Sequence, residues 1–372
     1  MPAIDEKEIS AATEVLKSGW LAHGPKTKEF EDNFAKYHGV KKAISFNSCT
    51  SALEVAIRAL NLKGEIIVPS FTFVASANAI VTAGCKPVFI DIREDTRNMD
   101  EDLIESLITK DTVAIMPVHY AGQMCDMKRI MEIAKKHNLA VIEDSAECIG
   151  GTFEDGKSGS FGIGCFSFYP TKNITCGEGG MITTNDEELA KKMATIHAHG
   201  VDSSAFEREK QERPWIRSAS IAGFNHRLTD IQSAIGNEQL KKLDALNEKR
   251  REHAHYLNEM LGKIKEIKVP VEAKECKHVY QMYTILLDKS INRSRFIAQL
   301  KEKGISASVH FDPPVHLQPV YSNMYDQKKL NLKVTEEIVE TIVTLPMYPD
   351  MAKEQLDYMI KTIIEVLKNA KN

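Results

Sequence analysis

The sequence predicts an α/β protein: a mostly parallel sheet of seven strands with helices on both faces, followed by a smaller α+β domain. Three observations predict it. Short apolar runs alternate with segments of helical spacing from residue 42 to residue 184. A long helical stretch then follows at residues 228–261, broken only by Gly236. Beyond it the alternation stops, and strands and helices mix without the earlier order. The 372 residues exceed what one core usually serves, so a large domain over 1–245 and a small one over 246–372 are expected.

Taken in order, residues 4–18 have the apolar spacing of a helix, and a glycine-bounded loop containing Trp20 follows. A second helix over 27–37 leads into a strand at 42–46. Asn47 to Thr50 form a turn, and Ser51 with Glu54 has capping-box spacing at the head of a helix over 52–60. A strand at 65–69 precedes a helix over 71–83, a strand at 86–92 and a helix over 101–108. Strands at 113–118 and 139–144 flank a helix over 127–136, and two further strands, 165–169 and 180–184, flank a glycine-rich loop. The short link between these last two allows one antiparallel pair. In the small domain the pattern gives strands at 279–287 and 307–311 and helices at 293–303, 335–343 and 352–367.

Composition excludes several classes of function. Hydrophobic content of 43% and charged content of 27% are those of an ordinary globular chain. A net charge of −4 offers no electrostatic case for nucleic acid or an anionic membrane. No apolar run is long enough to span a bilayer, and residues 1–10 are polar and acidic, so a cytoplasmic location is expected. The seven cysteines lack Cys-x-x-Cys spacing, which points to reduced thiols and not to a disulfide framework or a metal site.

The chemistry gathers at strand ends. An aromatic strand stops at Pro170, Lys172 follows, and Asn173, Gly177, Gly179 and Gly180 keep the backbone irregular. Upstream, Leu139-Ala140-Val141-Ile142 ends in Glu143-Asp144. A lysine able to form a Schiff base and an aspartate able to hold a pyridinium N–H are what pyridoxal phosphate requires of a protein. Ligands of open α/β sheets bind at the carboxyl ends of strands. There Cys49 and Thr50 open a helix whose free N–H groups suit a phosphate, and the Ser167 hydroxyl is a second candidate. Phe71 and Phe73 flank Thr72, and either could stack on a flat ring. Each residue also has an ordinary reading as a cap, a strand serine or a core aromatic.

Several segments, in order along nearly the whole chain, resemble the DegT/DnrJ/EryC1/StrS sugar aminotransferases. They are Gly24-Pro25 with Phe30-Glu31, Thr50-Ser51-Ala52-Leu53, Pro69-Ser70-Phe71-Thr72-Phe73, Pro117-Val118-His119 and Glu143-Asp144-Ser145-Ala146. Residues 167–180, Gly223-Phe224-Asn225-His226-Arg227 and Leu345-Pro346-Met347 complete the set. The resemblance implies the fold-type I architecture, with pyridoxal 5'-phosphate on Lys172 and Asp144 against its ring nitrogen. It further implies Phe73 stacking on the ring and Cys49, Thr50 and Ser167 as phosphate ligands. Asn225 is implied to reach the phosphate of a neighbouring subunit, hence a homodimer with shared sites. L-glutamate is the implied amino donor and a nucleotide-linked ketosugar the acceptor, with Trp20 and His316 as candidate contacts to that sugar nucleotide.

Three positions depart from the family pattern. Cys49 stands where glycine is frequent, His226 where tyrosine is common, and Glu147 where many members carry histidine or glutamine. A carboxylate at 147 resembles the perosamine-synthase branch and favours a 4-keto-6-deoxyhexose; its ordinary reading is a helix-start glutamate. Lys172 separates the chain from family dehydratases, which resemble this pattern with histidine at that position. An amino-acid aminotransferase or another fold-type I enzyme, and a non-catalytic regulator, remain the alternative readings.

Overall fold

The computed structural model describes residues 2–201, 213, 215, 218–326 and 330–371. The large sheet contains β1 (Lys42–Phe46), β2 (Glu65–Pro69), β3 (Lys86–Ile90), β4 (Thr112–Ile115), β5 (Ala140–Asp144), β8 (Ile163–Ser167) and β9 (Gly180–Thr184); a small hairpin, β6 (Thr152–Phe153) and β7 (Gly156–Lys157), intervenes. Its order is β1-β9-β8-β5-β4-β2-β3. The seven strands expected from sequence are all present. The run β8-β5-β4-β2-β3 is parallel, whereas β9 is antiparallel to both β8 and β1. The short link thus produces two antiparallel pairs. A parallel return is usually made by a crossover helix, and residues 168–179 form turns and irregular chain with no helix. Because β9 runs backwards, its first residue, Gly180, pairs with Phe46 and Ser167 at the carboxyl edge of the sheet.

Helices cover both faces. Cys49–Ala59 and Val74–Thr82 pack on one side in a core with Phe46, Ile66, Val68 and Ile142. On the other side Phe30, Phe34, Phe166 and Phe168 meet Leu240, Leu243 and Leu246 of the long helix Asp230–Leu261. That helix starts at a capping box, Thr229 with Gln232, and its 32 residues span about 48 Å. Gly236 does not interrupt it: a Cβ there would lie 2.7 Å from the Phe30 ring. Further along, Ala254, Leu257 and Leu261 enter the core of the small domain.

The small domain is a three-stranded antiparallel sheet, β10 (Ile267–Lys268), β12 (Tyr283–Leu287) and β13 (Ile342–Leu345), backed by Arg293–Glu302 and Lys353–Asn369. A further strand, β11 (Cys276–Lys277), pairs with β6 of the large domain. Several sequence expectations are corrected here. Residues 307–311 form no strand beyond one bridge between Ser308 and Thr344, and the helix expected over 335–343 gives way to β13 after Thr341. The apolar run Ile342–Leu345 suits either state in isolation, and pairing with β12 decides it. Val315, Tyr321 and Leu332 also leave the small domain in packing terms, since they join the large core. Finally, the helix expected to start at Ala52 starts at Cys49. Ser48, not Ser51, is its N-cap, accepting from Ser51 N–H, and Glu54 pairs with Arg58 instead.

Candidate active site

Strand pleating sends neighbouring side chains to opposite faces, and at the end of β5 this separates two carboxylates by task. Glu143 is fully buried. It accepts from the N–H groups of Gly159, Phe161 and Gly162 at 2.7–2.9 Å and contacts His119 Nε2 at 3.0 Å. His119 Nδ1 accepts from Cys125 N–H, so Nε2 carries the proton and donates to Glu143. Glu143 thereby fixes the turn that feeds β8.

Asp144 faces a cavity of about 890 Å³ at the carboxyl edge of the sheet. Its Oδ2 accepts from Ser76 Oγ at 2.7 Å and its Oδ1 from Ala146 N–H at 3.2 Å. Ser76 is held in turn by Thr72 Oγ1 at 3.0 Å. Burial raises the Asp144 carboxyl above its usual range, against the opposing effects of Ser76, Ala146 and Lys172. A buried carboxylate so placed gains most from a cation set directly against it, which is what a protonated pyridine nitrogen offers.

Lys172 closes a turn. Its N–H donates to Tyr169 O at 2.9 Å, with Pro170 at the second position, where its fixed φ fits. The loop is anchored to the long helix. Asn173 Nδ2 donates to Asn247 Oδ1 at 2.6 Å and Thr175 N–H to Gln239 Oε1 at 3.3 Å. The lysine amine reaches Glu147 Oε1 at 3.3 Å, while Glu147 Oε2 accepts from Ala121 N–H at 2.9 Å. Ala121 takes a left-handed φ of 55° to present that N–H. Glu147 lies in a turn and not at a helix start, and it contacts the lysine directly.

A third group of residues forms an anion cradle. Cys49 and Thr50 open the helix Cys49–Ala59 at the cavity wall, next to Ser167. Gly180 backs the cradle so closely that a Cβ would stand 2.4 Å from the Ser48 carbonyl carbon and 2.7 Å from Cys49 N. Free N–H groups at a helix start favour phosphate. Phe73, 62% exposed, lines the mouth of the same cavity. Lysine, buried carboxylate, ring-sized space and anion cradle therefore lie around one cavity, and the residues present fit pyridoxal phosphate.

Three expected residues lie elsewhere. His316 is fully buried behind the wall, its Nδ1 2.6 Å from Ser70 Oγ and its Nε2 3.3 Å from Glu336, so the expected sugar contact is corrected to a structural one. Trp20 is half-buried against Gly24, where a Cβ would lie 1.9 Å from the indole nitrogen, and does not line the cavity. That packing explains the glycine of the Gly24-Pro25 pair. Asn225 is exposed, accepts from Arg227 Nε at 3.1 Å, and stands outside the cavity of its own chain. Nearby, His226 stacks on Phe224 with rings 4.8 Å apart.

The second wall was missed in sequence. Ser308, His310, Phe311, Thr344, Met347 and Arg250 line it. His310 Nδ1 lies 2.9 Å from Thr344 Oγ1, and burial lowers its pKa, which keeps the ring neutral. For Arg250 a signal existed. Leu243, Leu246, Arg250, Ala254, Leu257 and Leu261 fall on one helical stripe, but the run Glu248-Lys249-Arg250-Arg251-Glu252 reads as a solvated face. Ser76 follows Thr72 by one turn and carried no distinguishing mark.

Comparison with known proteins gives the family. The model of the DegT/DnrJ/EryC1/StrS aminotransferase family matches residues 2–364. The chain is 38% identical to a GDP-perosamine synthase of Caulobacter vibrioides over 98% of this chain and 97% of that one. It is 35% identical to a UDP-4-amino-4-deoxy-L-arabinose–oxoglutarate aminotransferase of Shewanella sediminis, over 99% and 97% of the two chains. Among solved structures, a putative sugar aminotransferase from Streptococcus pneumoniae, solved in PLP and PMP forms, is similar. Its PMP form superposes with a TM-score of 0.93 at 30% identity, over 99% of this chain and 98% of that one. The chain is therefore a member of the DegT/DnrJ/EryC1/StrS family, an aminotransferase that depends on pyridoxal phosphate.

Proposed function

We propose that this aminotransferase moves an amino group from L-glutamate to a nucleotide-linked 4-keto-6-deoxyhexose. The observation that carries the reading is Glu147, a carboxylate bonded to the reactive lysine at 3.3 Å, in a chain similar over nearly its whole length to a GDP-perosamine synthase. The name of the Shewanella relative, with oxoglutarate as partner substrate, supports L-glutamate as donor.

When bound, pyridoxal phosphate supplies an electron sink for the carbanion formed at the amino carbon. The chain's own residues do the rest. Asp144 would hold the protonated ring nitrogen, and Ser76 and Ala146 N–H keep its carboxylate oriented. Lys172 Nζ takes the proton from the donor carbon and returns it across the cavity, acting as both base and acid. Glu147, fixed by Ala121 N–H, aims that amine. Cys49 N–H, Thr50 and Ser167, which line the cavity, would hold the phosphate, and Phe73 would cover the ring face. Asn225, exposed and outside its own cavity, completes the phosphate site of a second subunit in a homodimer.

The acceptor is read separately from the donor. Enzyme loaded with amine by L-glutamate, then freed of glutamate, is offered GDP-, UDP- and dTDP-linked 3-keto and 4-keto sugars one at a time. A nucleotide-linked 4-keto-6-deoxyhexose should restore the starting spectrum fastest. Removing the nucleotide should slow it, because remote binding energy supports the reacting centre. Restoration by simple keto acids and by no ketosugar nucleotide makes the enzyme an amino-acid aminotransferase and refutes the proposal.

A further inference from the structure

Arg250 sits where a cation is least expected. It is 7% exposed, on the buried stripe of the long helix, and lines the cavity. No carboxylate pairs with it among the described residues. Its Nη1 donates to two carbonyl oxygens, Met347 O at 3.2 Å and Gln281 O at 3.4 Å, and its Nε is buried without a partner. Burial pulls its pKa down to about 10, the direction expected of a guanidinium that lacks an anion. Buried charges are ordinarily paired, so the wall holds one side of an ion pair.

The position selects the anion. Gln281, whose carbonyl holds Arg250, also donates its Nε2 to Thr171 O at 2.8 Å, beside Lys172. A single residue, through its backbone carbonyl on one side and its side-chain amide on the other, therefore links the guanidinium to the turn that carries the reactive amine. Among the described residues, Lys172 and Arg250 are the two lysine or arginine side chains on the cavity wall, which also carries the carboxylates of Asp144, Glu147 and Glu178. The diphosphate of a sugar nucleotide is remote from the reacting carbon and belongs toward the cavity mouth. A carboxylate attached to the reacting carbon itself must come down to the level of Lys172. A planar guanidinium with Nε and one Nη free offers the paired N–H groups that grip a carboxylate.

We infer that Arg250 is the docking group for the α-carboxylate of the amino donor, an inference that rests on the proposed use of an amino acid as donor. The sugar acceptor carries no carboxylate, so Arg250 serves one half of the reaction and not the other.

The test compares wild type with Arg250→Lys and Arg250→Gln holoenzymes. The donor half-reaction is followed by the spectral change on adding L-glutamate, and calorimetry measures the binding of glutarate, a dicarboxylate that cannot react, and of free GDP and UDP. Arg250→Gln should weaken L-glutamate and glutarate by roughly two orders of magnitude. Arg250→Lys, which keeps the charge without the fork, should fall between. Nucleoside diphosphate binding and the ketosugar half-reaction should stay within about threefold of wild type. Glutamate and glutarate affinities unchanged in folded Arg250→Gln overturn the inference. Loss of nucleotide binding instead assigns Arg250 to the diphosphate and also overturns it. Equal losses in both half-reactions with a lowered melting temperature mean that Arg250 only clamps the two carbonyls. Wild type is first screened with other amino acids and with simple amines. Conversion by another amino acid in place of L-glutamate refutes the donor in the proposed function, and the Arg250 comparison is then made with that amino acid. Conversion by amines lacking a carboxylate as fast as by any amino acid overturns the inference outright.

Discussion

The wall of the cavity at the sheet edge and the wall from the second domain are held in different ways. At the sheet edge Asp144 and Ser167 are themselves the last residues of paired strands, and Cys49 and Lys172 follow beyond strand ends. Backbone hydrogen bonds set the strand ends, since Asp144 N–H donates to Pro117 O, its carbonyl accepts from His119 N–H, and Ser167 pairs with Gly180. In the second domain His310 and Phe311 lie in irregular chain, tied to β13 by one backbone bridge at Ser308 and by the His310 side chain on Thr344. A wall of strand ends suits the step shared by all substrates, since site precision rises when the supporting elements are rigid. A wall of loops tolerates change, which suits the choice of acceptor.

That contrast can be broken or sharpened by substitution. The largest effect is expected for Lys172→Ala. Without an amine to carry the proton, turnover should disappear while the folded protein still takes up pyridoxal phosphate through the anion cradle. Retained turnover above a few per cent would show that another base acts. Asp144→Asn comes next, with a rate fall of at least about 100-fold, equivalent to ~2.7 kcal/mol. This substitution also has a pH signature. Because burial raises the Asp144 carboxyl in the folded chain, the folded state keeps that proton to higher pH than the unfolded state does. Stability from this group is therefore present at low pH and lost as pH rises from the ordinary carboxylate range through the raised value. The cofactor-free Asp144→Asn protein should lack that loss, so its melting temperature should decline less with rising pH than that of wild type.

Ser76→Ala tests the support behind the carboxylate. Removing one neutral hydroxyl from an ionised partner should cost about 1–3 kcal/mol, read as a ten- to hundredfold drop in rate with little change in the Michaelis constant for the sugar nucleotide. His316→Gln should have the smallest effect on activity. The histidine links Ser70 to Glu336 behind the second wall, so the change should lower the melting temperature and leave the kcat/KM for the sugar nucleotide within about threefold. A large and selective loss of kcat/KM would return His316 to the substrate site.

The same contrast explains what the sequence made legible. Strand ends are marked by apolar runs that stop at turn residues, so Asp144, Ser167 and Lys172 could be placed with their backbone context. The helix start at Cys49 and Thr50 was also legible as a turn running into a helix, although the capping residue was misassigned by three positions, because Ser48 and Ser51 offer the same hydroxyl at the same helix. The second wall has no such marks. Ser308, His310 and Thr344 come together only when residues 307–311 fold against β13, and that contact depends on long-range pairing which local pattern does not encode. His316 misled because a histidine in a proline-rich loop suggests exposure, whereas Val315 and Tyr321 on either side bury it in the large core. Arg250 was hidden by its charged neighbours, although its spacing from Leu243, Leu246, Ala254 and Leu257 marks the buried face.

The central claim is that the turn after β8 presents Lys172 as the residue joined to the cofactor, opposite Asp144. Borohydride reduction of the holoenzyme followed by peptide mapping tests it most directly. Reduction should bleach the yellow protein and leave the added mass on the peptide containing Lys172, with none on other lysines, and Lys172→Ala should carry no adduct. An adduct on a different lysine, or a colourless protein that stays unmodified after pyridoxal phosphate is added, would contradict the account.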